Sequence, residues 1–506
     1  MPKSAVSSNQ TSIVLDHTSS VPLNRQLYDR LRIAILAGQL GAGTRLPSTR
    51  TLAGQLGVSR NTVCIAYEQL LAEGYVDSHV GYGTSVTRLV PEQLLTVQPA
   101  PHIPEATHDT AGHVRLSRRG ELIAQTPAMP IPLIQAETNR SQLFRSGVPD
   151  PEAFPYEIWA QIVARQARRS LRMTSSYQDP AGYRPLREAI AAHIGVTRGV
   201  RCSADQIIVV AGSQGALDLA ARVLLDPGDV ACIEDPGYPG ARGALQAAGA
   251  QLAPVPVNEE GLDVHTVRAR YPHARLVSIT PSHQFPLGVT MSLTQRLALL
   301  EWANQANAWI LEDDYDSEYR FSGRPLEALQ GLDHANHVIY IGTFSKVLFP
   351  ALRLGYLVVP SDVVDAFVSA RRLVDVHPPI LEQLALTDFM VEGHFTRHLR
   401  RMRTLYAERR ATLVEAIANE PGEILTVHAP EAGMHLMARL PIGINDYVVA
   451  RQAAKQGVKV IPLSTFCIEP PQRGGLLLGY AASSVAEIQD GVHRLAQVIR
   501  SLIHTS

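Results

Sequence analysis

Gly342-Thr343-Phe344-Ser345-Lys346 follows directly on the apolar run Val338-Ile339-Tyr340-Ile341. The run reads as a buried strand. A lysine at the end of such a strand is otherwise odd, because burying an unpaired charge is costly. Downstream lie Pro350, Arg353 and Gly355. Upstream, the strand Trp309-Ile310-Leu311 ends in Glu312-Asp313-Asp314-Tyr315. A carboxylate at a strand's C-terminal end lies where open α/β sheets bind ligands. Further upstream, Gly212-Ser213-Gln214-Gly215 separates the strand Ile207–Val210 from the helical stretch Ala216–Leu225, and Tyr238 stands in Asp235-Pro236-Gly237-Tyr238-Pro239.

Additional β-branched runs at Val230–Ile233 and Leu276–Thr280, with a helical stretch at Ser292–Asn307, continue the alternation. Strands alternating with helices predict a largely parallel sheet covered by helices, an α/β fold. From about residue 395 a long charged helix, Phe395–Ile417, opens what reads as a smaller α+β lobe.

Together these residues meet the four needs of pyridoxal phosphate (PLP). Lys346 supplies the Schiff-base amine. Asp313 can keep a pyridine nitrogen protonated, so that the ring acts as an electron sink. The hydroxyls of Thr343 and Ser345 and the guanidinium of Arg353 suit a phosphate, and the amides at Gly212–Gly215 would face it from a helix N-terminus. Tyr238 offers a ring to stack on the cofactor.

The N-terminal part has a different character. Residues 1–20 are rich in Ser and Thr and read as a flexible segment. In 21–88, Leu23, Leu27, Leu31, Ala34 and Ile35 recur at helical spacing. Ser48 can cap a short helix, Thr49–Leu56, that Gly57 ends. Ser59 can cap the next, Arg60–Glu73, that Gly74 ends. Two helices joined by a tight Gly-containing turn form a helix-turn-helix, whose second helix enters the major groove. Its first residues are Ser59, Arg60, Asn61 and Thr62; Arg suits guanine and Asn suits adenine. Val63, Ala66, Leu70 and Leu71 would face the core. Tyr75-Val76 and Thr84-Ser85-Val86, flanking Gly81-Tyr82-Gly83, read as a two-stranded wing with a glycine tip, free to approach phosphate closely. Residues 89–138, with seven prolines between Pro91 and Pro132, read as a linker in which Arg115, Arg118 and Arg119 are solvated. The remainder, 139–506, is the α/β unit.

The strings Leu46-Pro47-Ser48-Thr49-Arg50-Thr51-Leu52-Ala53, Val58-Ser59-Arg60-Asn61-Thr62-Val63 and Glu73-Gly74-Tyr75 closely resemble the winged helix of GntR-type regulators. That resemblance implies DNA contacts by Arg50, Ser59, Arg60, Thr62 and Gly83. From about 140 to 500 the chain resembles fold-type I aminotransferases, and specifically the MocR/GabR regulators, which fuse the two units. Shared stretches include Phe144–Pro155, Tyr177–Gly182, Pro281–Pro286, Glu312–Glu318 and Gly342–Gly355. The resemblance implies a Schiff base at Lys346, pairing of Asp313 with the pyridine nitrogen, a bond from Tyr315 to the phenolic oxygen, and a phosphate among Ser213, Gln214, Thr343, Ser345 and Arg353. It further implies a homodimer, a double-stranded DNA operator, and a small-molecule effector that is PLP itself or an amine or amino acid.

Two departures stand out. Aminotransferases usually carry Asn-Pro-x-Gly, whose Asn bonds the phenolic oxygen; Phe285 matches that Asn. Gln284 or His283 is available as a substitute, and His283 also reads as a core histidine. The arginine that many of these proteins place before Leu-Gly for a substrate carboxylate is leucine in Gly475-Leu476-Leu477-Leu478-Gly479, with Arg473 and Arg242 as the arginines nearby. A working aminotransferase with an incidental N-terminal module is the rival reading. Arg50 with Ser59–Thr62, and the missing arginine, separate the two. Intact Asp313, Tyr315 and Lys346 speak against a regulator that has lost PLP.

Composition fits. The 506 residues are 18% charged and 45% hydrophobic, which is ordinary for a multidomain globular chain. Net charge is −1, yet the first 90 residues carry eight Lys/Arg against five Asp/Glu, a local +3. Four scattered cysteines suggest neither a disulfide framework nor a zinc site, and no other metal site is expected. The absence of a signal peptide or a membrane-spanning run predicts a cytoplasmic protein.

Overall fold

In the computed structural model, the described residues are 13–79, 82–88, 116–125, 143–170, 173, 175–323, 326–422, 424–428 and 431–504. The chain divides into two units, Met1–Val114 and Arg115–Ser506.

The first unit is built on three helices, α1 (Leu23–Leu36), α2 (Thr49–Leu56) and α3 (Arg60–Ala72), and a hairpin of β1 (Val76–His79) with β2 (Gly83–Val86). The capping residues decide the boundaries. Ser48 accepts from the amide of Thr51 at 3.2 Å, and Ser59 from that of Thr62 at 3.1 Å. Gly57 ends α2 at φ 65°, a left-handed conformation that costs glycine little. Leu27, Leu31 and Ile35 of α1 meet Leu52 of α2 and Val63, Ala66 and Leu70 of α3 in one core. Each such leucine contributes roughly 1.5–3 kcal/mol on burial. The expectation for Leu71 fails: it is 45% exposed, and Tyr67 is buried instead, its hydroxyl donating to Pro47 O at 3.0 Å. At 3.6 residues per turn, Leu71 lies roughly a quarter turn from the centre of the Val63–Ala66–Tyr67–Leu70 face. Ile13 and Leu15 also pack on this core, so the ordering of the unit begins inside the segment read as flexible. The wing's glycine Gly81 lies outside the described residues.

The second unit centres on an eight-stranded sheet. Its members are β3 (Ile207–Val210), β4 (Val230–Asp235), β5 (Gln251–Asn258), β6 (Gly261–Leu262), β7 (Leu276–Ile279), β8 (Trp309–Asp314), β9 (Val338–Thr343) and β10 (Gly355–Val358), in the order β3-β10-β9-β8-β7-β4-β5-β6. Neighbours from β9 through β5 run parallel; β10 is antiparallel to both β3 and β9, and β6 to β5. Successive side chains point to opposite faces: Val338 joins one hydrophobic layer, Ile339 and Ile341 another. Burial on both faces explains why these strands read as continuous apolar runs. β5 was not legible as a strand because Pro254 and Pro256 interrupt it. Beyond β4 its open side carries only the two-residue β6, where missing amide donors are tolerated.

Helix His394–Asn419 leads into a four-stranded sheet of β11 (Thr426–Val427), β12 (His435–Arg439), β13 (Ile461–Pro462) and β14 (Gly475–Gly479), closed by helix Val485–Ile503. This is the smaller lobe. The segment read as a linker is corrected in part: Arg118–Gln125 is a helix; Arg119 is exposed, and its Nε also donates to Ala247 O at 2.9 Å.

Candidate functional site: a buried lysine pocket and an exposed helix start

The parallel strands deliver the pocket. β9 ends at Thr343, and Lys346 follows in the next turn, its amine donating to Gly147 O at 2.9 Å. Gly147 adopts φ 70°, and a Cβ there would lie 2.7 Å from that amine. Burial pushes the Lys346 ammonium below its usual range, with Asp316 and Asp313 opposing. Asp313, on β8, is 5% exposed, and its Oδ1 has no hydrogen-bond partner. Burial, and then the neighbouring Asp314, lift its carboxyl to about 7. A buried carboxylate oxygen left open is costly unless a donor arrives. The rest of that strand end is fixed: Asp314 is paired with Arg198 at 2.7 Å and accepts from Tyr340 at 2.7 Å, while Glu312 accepts the amides of Leu329 and Gln330.

Around this pair lie the other sequence-derived residues. The helix Gly212–Leu224 starts with no side-chain cap, so its first amides are open. Ser213 and Gln214 are in that first turn, but the Gln214 side chain donates to Gly240 O at 3.0 Å, leaving its backbone amide for a ligand. The Arg353 guanidinium reaches the same helix start, donating to Ala211 O at 2.8 Å, and a Cβ at Gly212 would come within 3.2 Å of it. The Ser345 hydroxyl is buried without a partner; its amide donates to the Thr343 hydroxyl at 3.2 Å. The Tyr238 ring stands edge-on to Phe285 at 5.8 Å and lines one cleft with Asp313, Glu234 and Arg242. Tyr315 is hydrogen-bonded to His283 at 3.0 Å. His283 is thus buried and hydrogen-bonded, as the core reading has it, and it also reaches Tyr315. His283, Asp316 and His435 are buried and bring potential ligand atoms within 4.8 Å of one another, a cluster the sequence reading did not anticipate. Gly147 lies in the Phe144–Pro155 stretch, and its positive φ leaves no trace in periodicity.

The residues therefore fit PLP: a buried lysine amine held only by a backbone carbonyl, an unsatisfied buried carboxylate, and an uncapped helix start with an arginine and two hydroxyls. The wall beyond them is apolar. Leu477 is fully buried with Met437, Leu463 and Phe466, against Phe285 and Leu287. Leu478 points into the main core. Arg473 is turned away, to Leu440 O and Thr426. Arg242 stays at the cleft, donating to Phe466 O at 3.2 Å.

On the first unit, Arg50, Ser59, Arg60 and Asn61 are exposed and Thr62 half-buried, all within one turn of the start of α2 or α3. The Arg60 Nε lies 3.4 Å from the Thr49 hydroxyl, which ties the starts of the two helices together. Gly83 takes φ 82°, and a Cβ there would meet the Arg45 side chain at 3.1 Å.

Fold and site define a helix-turn-helix protein carrying an aminotransferase-type ligand domain. Residues 23–86 match the bacterial regulatory proteins of the gntR family, and residues 149–495 match aminotransferase class I and II. The probable rhizopine catabolism regulatory protein MocR of Rhizobium meliloti is 43% identical over 97% of this chain and 96% of its own. The pyridoxine biosynthesis transcriptional regulator PdxR of Corynebacterium glutamicum is 30% identical over 95% and 98%. The α-aminoadipate aminotransferase LysN of Thermus thermophilus, solved with N-(5'-phosphopyridoxyl)-L-leucine, is 30% identical, with a TM-score of 0.67, over 72% of this chain and 93% of its own. The chain belongs to the MocR/GabR subfamily of GntR-type transcription regulators. None of its described helices is long and apolar enough to cross a membrane.

Proposed function

We propose that this regulator holds PLP on Lys346 and uses that pocket to sense a small molecule, PLP itself or an amine or amino acid, altering how its winged helices engage an operator. The observation that carries the reading is the buried, partnerless Asp313 Oδ1, close enough to the Lys346 amine for their charges to interact. A protonated pyridine nitrogen is the donor that oxygen lacks. Bound there, PLP supplies an aldehyde that captures amines and a ring that accepts electrons. Ser213, the Gln214 amide, Thr343, Ser345 and Arg353 bind its phosphate, Tyr238 stacks on the ring, and Tyr315 holds the phenolic oxygen. In the operator complex Arg60 and Asn61 read base edges, while Arg50, Ser59, Thr62 and Gly83 take phosphates or adjacent bases. Two copies in a homodimer match paired half-sites.

The relatives' names point to different processes, rhizopine catabolism and pyridoxine biosynthesis, so the effector does not transfer from them. The apolar wall at Leu477 favours sensing over turnover of amino acids, because a bidentate arginine is the usual carboxylate clamp. In the test, purified protein is treated with borohydride. The visible band of the lysine-bound cofactor should disappear, with the label mapping to Lys346, and Lys346→Ala should stay folded and take no label. The same label in Lys346→Ala overturns the assignment.

A further inference from the structure

His283 Nδ1 lies 3.0 Å from the Tyr315 hydroxyl and 3.1 Å from each carboxylate oxygen of Asp316. His283 and Asp316 are 2% and 1% exposed. A carboxylate accepts, so a hydrogen on the imidazole Nδ1 is what satisfies Asp316; the other ring nitrogen, Nε2, is buried without a partner. That single N–H faces Asp316 and the Tyr315 oxygen together. Tyr315 is therefore an acceptor toward His283, and its own hydroxyl hydrogen is turned elsewhere. Among the described residues no second partner of that hydroxyl is found. The ring packs against Gly433, at φ 96°, where a Cβ would come within 2.0 Å of the imidazole Cε1, and the His435 ring centroid stands 4.9 Å away.

We infer that His283, fixed by Asp316, is a positioning residue that aims the Tyr315 hydroxyl hydrogen at the phenolic oxygen of the lysine-bound cofactor. In this chain it takes over part of the task left open by Phe285. The inference rests on the proposed role of Tyr315, and its test separates the two. The phenolic oxygen carries more negative charge when the Schiff-base nitrogen is unprotonated, since a proton on that nitrogen is shared with it. A hydrogen bond donated by Tyr315 therefore favours the unprotonated form and lowers the pH at which the chromophore changes colour. The N–H that His283 places on the Tyr315 oxygen polarises the O–H and strengthens that donation. The other groups facing Tyr315 and Lys346 are Asp313, Glu234, Tyr480, His435 and Arg353. They are unchanged in every variant below.

The measurement is an absorbance titration of the PLP-loaded protein across pH 5–10. Tyr315→Phe should raise the midpoint by roughly 1–2 units, the worth of a hydrogen bond to a charged group, and His283→Leu by roughly 0.4–1 unit, the worth of a neutral one. The double variant should match Tyr315→Phe, because His283 acts through Tyr315. His283→Gln, whose amide N–H can still donate, should return toward the parent. His283→Asn, polar but too short, carries the same expectation as the leucine variant if the latter does not accumulate as folded holoprotein. An unmoved midpoint in Tyr315→Phe defeats the role given to Tyr315. A normal Tyr315→Phe shift with an unmoved His283 variant, or an equal His283 shift in the Tyr315→Phe background, defeats the inference alone. A midpoint that changes with chelator would assign the His283–Asp316–His435 cluster to a cation and overturn it as well.

Discussion

Asp313→Asn isolates the interaction on which PLP binding depends. Asp313 is 5% exposed, its Oδ1 has no partner, and burial lifts its carboxyl to about 7. A protonated pyridine nitrogen would give it a charge-assisted hydrogen bond of about 1.5–3 kcal/mol. Asparagine keeps the shape but offers no charge, so PLP affinity should fall roughly 10- to 150-fold. The pH dependence carries a sign. The carboxyl is raised from 3.8 toward 7 in the empty pocket. Its contribution to the empty protein's stability is present below about 4 and is lost as pH climbs through 7. Cofactor binding needs the ionised form, so the parent should bind more tightly at pH 8 than at pH 5.5, beyond any change in Asp313→Asn. Comparing the two proteins cancels the titration of PLP itself. The assay adds PLP to each apoprotein and follows the visible band at both pH values. Affinities within twofold of each other at pH 8, or parallel pH dependences, would refute the assignment of Asp313 to the pyridine nitrogen.

Arg60→Ala should cost about 1–3 kcal/mol on the operator and relax specificity at one base pair, whereas Arg50→Ala should weaken all sequences alike and flatten the salt dependence; parental binding and salt slope in both variants would count against the helix-turn-helix interface. Incubated with a panel of amino acids and a keto acid, the holoprotein should convert to the pyridoxamine form at most stoichiometrically, because Leu477 leaves an apolar wall where a carboxylate clamp is needed; sustained turnover near or above about 1 per second would favour an enzyme instead.

Residues whose signals are local were legible in the sequence. Ser48, Ser59 and Gly57 act within four residues of themselves: the two serines start helices through their hydroxyls, and Gly57 ends one through its left-handed backbone. β9 and β8 are buried on both faces and had only one plausible reading. Asp313 and Lys346 were legible because a strand's end is where the sheet exposes its ligand face. What stayed hidden depends on segments that meet only through the fold. Lys346 is held by Gly147, 199 residues earlier in the chain. The ring of His283 needs the missing side chain of Gly433, and neither residue carries a pattern that names the other. The pairing of β12 with β14 sets Met437 opposite Leu477 and His435 opposite Gly479, and this makes the pocket wall both apolar and histidine-lined. Sequence alone could say that a leucine, Leu477 or Leu478, stands where the resemblance places an arginine. The strand register adds that Arg473, four residues before Leu477, is committed to Leu440 and Thr426, so no shift of one residue along β14 restores the clamp. Restoring it would require a guanidinium from another element. Arg242 is such a group at the cleft, and its carboxylate-binding capacity is already partly spent on Phe466 O.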